Sequence, residues 1–218
     1  MSKKSFNKYN YLVIEGNIGA GKSSLSTLIA EKFNAKLILE QYAENPFLPK
    51  FYRDPERYSF PLELSFLAAR YNQLHGELTS PDLFKNFTVA DYFLSKSLIF
   101  SKVTLQVDEF QLYRTMFDII HKQLPKPDLY VYLHVNVEKL LSNIRHRGRD
   151  YEKSIDAGYL EKLQEGYFEY MRSLTGQKVL ILDINNLDFV GKEQDFQAVE
   201  KAIFHTNYRK GLNRVHLP

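Results

Sequence analysis

The sequence of 218 residues contains no cysteine, which excludes disulfide cross-links, thiolate zinc sites and a cysteine nucleophile together. A reducing compartment suits such a chain. No apolar run approaches the roughly 20 residues that a membrane span needs, and residues 1–10 carry Lys3, Lys4 and Lys8 without the apolar stretch of a secretion signal. The expectation is a cytoplasmic protein that touches no membrane. A surplus of one charge is also nearly absent: 29 Lys and Arg against 26 Asp and Glu leave +3, spread along the chain, which argues against a nucleic-acid partner. His75, His121, His134 and His146 share no spacing that suits a transition metal. No repeat, low-complexity tract or linker divides the sequence. The expectation is one domain over 1–218, with 1–9 and about 206–218 as frayed ends.

Short apolar runs at 11–15, 36–39, 87–90, 129–135 and 179–182 read as strands. Helical spacing separates them: Leu25, Leu28, Ile29 and Phe33 after the first, then 58–74, 98–105, 112–121, 137–144 and 159–171. Pro46, Pro49 and Pro55 keep the stretch after the second strand irregular. Strands alternating with helices predict an α/β fold, a parallel sheet flanked by helices, with right-handed crossovers. Most of the 15 tyrosines and 16 phenylalanines fall at core spacing.

Between the first strand and first helix lie Gly16, Asn17, Ile18, Gly19, Ala20, Gly21, Lys22 and Ser23, followed by Ser24. This is the full G-x-x-x-x-G-K-[ST] phosphate loop in the strand-to-helix context that it requires. Its glycines let backbone N–H groups converge on phosphate oxygens, Lys22 reaches the terminal phosphates, and Ser23 offers a hydroxyl to Mg²⁺. ATP and Mg²⁺ are therefore the expected cofactors. The loop alone does not name the acceptor.

Four further segments do. Glu40, ending the second strand, precedes Asn45-Pro-Phe-Leu and Phe51-Tyr52; Glu63 and Arg70 lie seven residues apart on one helix; Asp91 follows the third strand; and Arg147, Gly148, Arg149 and Glu152 form an arginine-rich lid at about 143–153. Together with the phosphate loop, these segments resemble the deoxyribonucleoside kinase family, from about residue 11 to 171. The resemblance implies a P-loop kinase fold with a five-stranded parallel sheet, a homodimer, and transfer of the ATP γ-phosphoryl group to a deoxynucleoside 5′-hydroxyl, with a lean toward purines. It implies Glu40 as general base, Tyr52 and Glu152 on the sugar 3′-hydroxyl, and Arg147 and Arg149 on the phosphates. Glu63 and Arg70 would face the base.

The chain departs from the family's pattern at several positions. Glu63 stands where the family has Gln. The family's D-R-S segment is replaced around Val89-Ala-Asp-Tyr-Phe93, so that either Ala90 or Asp91 takes the slot of the metal-binding acid, and the Arg is missing in both alignments. Asp91 is the expected metal ligand beside Ser23. Lys96 falls near a family acid that reads the base, and compensation between Lys96 and Glu63 across the base pocket is the expectation. Two alternatives accompany the kinase reading: a nucleotide-binding protein of the same fold with little activity, and a nucleoside monophosphate kinase using Arg53, Arg57 or Arg70 on its charged acceptor.

Overall fold

The computed structural model describes residues 8–41, 45–80 and 82–217. The chain runs β1 (Tyr11–Gly16), α1 (Lys22–Phe33), β2 (Lys36–Ile38), α2 (Leu48–Arg53), α3 (Pro55–Thr79), β3 (Thr88–Ala90) and α4 (Ser95–Thr104). It continues through α5 (Val107–His121), β4 (Leu129–His134), α6 (Val137–Arg147), a 3-10 turn at Asp150–Glu152, α7 (Ala157–Ser173), β5 (Lys178–Asp183), α8 (Glu193–His205) and β6 (Gly211–His216).

The strands form one parallel sheet in the order β2-β3-β1-β4-β5-β6. Alternation along the strands divides the core in two, as a pleated sheet requires. Leu12, Ile14, Val131, Leu133, Leu180 and Leu182 face α1, α6 and α8 through Leu25, Ile29, Leu140, Val199 and Ile203. Tyr11, Val13, Tyr130, Tyr132, Val179 and Ile181 face the other way, onto Leu67, Leu74, Ile99, Tyr113, Phe117, Leu163 and Tyr167 of α3, α4, α5 and α7.

Two expectations are corrected. The sheet has six strands, because β6 adds to β5 over its whole length, from Lys178 opposite Gly211 to Asp183 opposite His216. The end from about 206 is thus ordered at 211–216, where Asn213 also donates to the Val179 carbonyl. At the other end, Tyr9 is buried and its hydroxyl donates to the Ile203 carbonyl, so it is not frayed; residues 1–7 lie outside the described residues.

Local chemistry sets the element ends that frame the site. Asp54 caps α3 by accepting from the Arg57 N–H, with Pro55 opening the helix. Asn136 caps α6 through the Lys139 N–H, and Gly148, left-handed at φ 72°, ends it directly after Arg147.

Candidate active site

The strand ends converge at the phosphate loop. Gly19 and Gly21 both hold φ 83°, and a Cβ on Gly19 would come within 2.9 Å of the Leu140 carbonyl oxygen, so the loop's turn needs glycine for both conformation and space. Side chains anchor it: Asn17 donates to the Leu160 carbonyl at 2.8 Å, and Asn143 of α6 donates to the Gly19 carbonyl at 2.8 Å. Lys22 folds back over the loop to the Asn17 carbonyl oxygen at 2.9 Å.

Asp91 joins this loop to the end of the neighbouring strand. Its Oδ2 accepts from the Ser23 hydroxyl, and its Oδ1 accepts from the backbone N–H of Glu40 at 2.8 Å. One carboxylate therefore holds the phosphate loop and the segment carrying Glu40 at a fixed spacing. Ala90 belongs to β3 and Tyr92 points into the core, donating to Gln73, so of the three residues Asp91 is the one that meets Ser23.

Glu40 is clamped. Arg70 approaches its Oε1 through Nε at 2.8 Å and Nη2 at 2.7 Å, while Lys96 Nζ meets Oε2 at 2.5 Å. Burial alone would raise the Glu40 pKa, but the charges and hydrogen bonds of Lys96 and Arg70 outweigh it and hold the carboxyl well below its ordinary range. Besides this contact, the Lys96 charge also acts on Glu63, favouring its ionised form. Lys96 is the second residue of α4, and its ammonium meets Glu40; Glu63 takes a hydrogen bond from Thr104, at 3.0 Å. Lys96 thus lines the cavity beside Glu40 and Lys22.

One carboxylate beneath the loop is not among the expected site residues. Glu15 of β1 is fully buried and accepts from the Phe93 N–H at 2.9 Å and the Tyr167 hydroxyl at 2.9 Å. Burial raises its pKa, with Lys96 and Lys22 pulling the other way. Lys22 itself is brought down to about 8, first by burial and next by repulsion from Lys96, against the attraction of Glu15, Asp91 and Glu40. The signal for Glu15 lay in the sequence, since a charged residue ends an otherwise apolar strand.

The segment carrying Arg147, Arg149 and Glu152 borders the same cleft. Glu152, 5% exposed, accepts from Arg147 Nε and Nη2 at 3.1 and 2.6 Å and from Arg149 Nη1 at 3.2 Å. Ile18, Lys22, Ser23, Glu40, Tyr52, Glu63, Phe66, Arg70, Asp91, Lys96, Arg147, Arg149 and Glu152 all line one cavity. A second hollow lies across the phosphate loop, lined by Gly19, Ala20, Gly21, Ser24, Lys139, Asn143, His146, Arg147, Leu187, Phe189 and Val190. The Gly16 end of the loop continues β1 between β3 and β4. Arg53 and Arg57 are exposed and line neither hollow.

Ser23 and Asp91 present adjacent hard oxygen donors, which fits a Mg²⁺ held by one or two protein oxygens and completed by substrate phosphates. Among the described residues no three His, Cys, Asp or Glu side chains form a metal-holding group. No helix of the described residues is long and apolar enough to cross a membrane.

The sequence model of the deoxynucleoside kinases matches residues 12–207. The chain belongs to the deoxynucleoside kinase family. Among relatives of this family, deoxyguanosine kinase of Bacillus subtilis (strain 168) is 36% identical over 195 residues, 87% of this chain and 93% of that protein. Deoxyadenosine/deoxycytidine kinase of the same organism is 27% identical over 220 residues, covering 96% of this chain and 100% of the other. The structure of deoxyadenosine kinase from M. mycoides with bound dATP superposes with a TM-score of 0.76 at 25% identity, over 88% of this chain and 98% of that one. The kinase fold and phosphotransferase family of the chain are thereby established.

Proposed function

We propose that this protein transfers the γ-phosphoryl group of Mg-ATP to the 5′-hydroxyl of a deoxynucleoside, with a purine preferred, and so salvages deoxynucleosides in the cytoplasm. The observation that carries this reading is the Asp91 bridge, which fixes Glu40 beside the phosphate loop with Lys22, Ser23 and Lys96 around the same space. ATP would lay its base in the hollow lined by Phe189 and Val190 and its phosphates over the loop, while the deoxynucleoside occupies the opposite cavity.

Phosphoryl transfer is governed by positioning and charge stabilisation, and the attacking hydroxyl loses its proton late. A carboxylate held as strongly as Glu40 is a weak base, and a late transfer tolerates that. Its first task is to fix the hydroxyl by accepting its hydrogen bond; it takes the proton as the new bond forms. Lys22, Lys96, Arg147 and Arg149 are the cations of this chain that balance charge on the moving group. Mg²⁺ held by Ser23 and Asp91 would neutralise phosphate oxygens. Tyr52 and Glu152 suit the sugar 3′-hydroxyl.

Neither alternative gains support. An acceptor phosphate of about two negative charges would need a cation of its own, yet the Arg70 charge is already balanced by Glu40, and Arg53 and Arg57 lie outside the cavity. A merely binding protein has no use for a carboxylate poised at the transfer point. We further propose a homodimer through α5, whose Leu112, Met116 and Ile119 form an exposed apolar stripe.

The test is ADP release with each of the four deoxynucleosides, for the wild type and Glu40→Gln. Turnover with at least one purine deoxynucleoside, cut about 100-fold or more in the variant, is the expected result. Release no faster than without acceptor rejects the reading.

A further inference from the structure

Glu63 is a buried acid that the transfer chemistry does not use. It is 3% exposed, and it lines the acceptor cavity two helical turns from Arg70 on α3. Its Oε1 accepts from the Thr104 hydroxyl at 3.0 Å. Arg70 nearby spends three N–H groups on Glu40 and Ser97, which leaves two of its five for a ligand. Phe66, under the Arg70 guanidinium at 4.7 Å, adds a flat apolar wall. The cavity therefore offers acceptors on one side and donors on the other.

The purines differ in what they present to such a pair. Guanine offers two adjacent donors, N1–H and the 2-amino group, with O6 and N7 as acceptors. Adenine offers a donor at the 6-amino group beside an acceptor at N1. An ionised carboxylate only accepts, whereas a protonated one donates once and accepts once. We propose that Glu63 selects the base, accepting guanine N1–H and 2-amino hydrogens when ionised and pairing with adenine N1 and 6-amino only when protonated. This inference rests on the kinase reading and adds the substrate to it: deoxyguanosine above neutrality.

The surroundings of Glu63 keep both forms within reach. Burial pushes its pKa up to about 7, opposed by Arg70, the Thr104 hydrogen bond and Lys96, and aided by Glu40. The remaining titratable neighbours are Tyr113 of α5, whose hydroxyl donates to the Glu63 backbone carbonyl at 3.3 Å, and Tyr159 of α7, both with pKa values that burial raises far above neutrality. Tyr52 of α2 lines the same cavity. Between pH 5.5 and 8.5, Glu63 is thus the group facing the base whose charge changes.

The experiment measures kcat/KM for deoxyguanosine and deoxyadenosine from pH 5.5 to 8.5, in the wild type, Glu63→Gln and Thr104→Val. Taking the ratio of the two substrates cancels ionisations they share, such as that of Lys22. The ratio should climb with pH through about 7 by about tenfold or more in the wild type, since a hydrogen bond to a charged group is worth that much. In Glu63→Gln, which keeps shape and removes the charge, it should fall by a similar factor and lose its pH dependence. Thr104→Val, which removes a bond to the carboxylate, should shift the midpoint to higher pH. Deoxyinosine, lacking the 2-amino group, should be used about tenfold less well than deoxyguanosine. A flat wild-type ratio, or one that Glu63→Gln leaves unchanged, overturns the role of Glu63 while leaving the kinase intact. Turnover of no deoxynucleoside overturns the kinase reading, and this inference with it.

Discussion

Removing the Lys96 ammonium would leave Glu40 paired with Arg70 alone and would take one cation from beside Lys22. Lys96→Met should therefore lower kcat by about 100-fold, the usual cost of one preorganised charge at a transition state. KM for the deoxynucleoside should change far less. Lys96→Arg should recover part of the loss, because the charge matters more than the shape of its head. Steady-state kinetics decide; an unchanged kcat in Lys96→Met would relegate the residue to packing. Lys22 carries a second residue-scale consequence. Burial and Lys96 bring it down to about 8, so roughly half its population is neutral at pH 8. ATP phosphates favour the ammonium, so binding must take up about half a proton at pH 8, more at pH 9 and almost none below pH 7. Calorimetry in buffers of different ionisation enthalpy would register this uptake, and Lys22→Met should abolish it.

At the scale of elements, β6 is the piece that sequence reading left out. It pairs along β5, and Tyr208, Val215 and Leu217 pack on the core face shared with α8. Deleting residues 207 onward would bare the backbone of Val179–Leu182, an apolar edge open to other chains. The expected outcome is a lower melting temperature and aggregation on warming, with kcat preserved in the soluble fraction, since β6 lies on the edge far from β2 and β3. Calorimetry with light scattering checks both halves. The strand was illegible because Asn213, Arg214 and His216 interrupt it and every second residue faces solvent, so it lacks the apolar run that marked the interior strands. α8 was missed for a weaker reason: Phe196, Val199 and Ile203 do recur at helical spacing. The phosphate loop was legible because its chemistry is contiguous, with motif, strand and helix in register. Glu40, Arg70, Asp91 and Lys96 could be named individually, but their pairing could not, since it depends on where β2, α3, β3 and α4 meet.

For the whole molecule, the phosphate loop separates two hollows, and Arg147 lines both. A single arginine bordering both hollows is placed to contact a ligand in either one. The cleft opens at the carboxyl ends of the strands, leaving the outer face of α5 free of any catalytic duty. That face is where a second copy would sit. Leu112, Met116 and Ile119 follow one another at helical spacing at 56%, 38% and 62% exposure. A solvated stripe of this kind costs solubility unless another surface covers it, and a two-fold contact covers it with its own copy. Placing charges there, as in Met116→Glu with Ile119→Glu, should convert a dimer to a monomer in sedimentation velocity. Each monomer should keep its fold and its ADP release, because no residue of the stripe lines either hollow. A wild type that sediments as a monomer at tens of micromolar would remove the dimer from this account while leaving the cleft chemistry untouched.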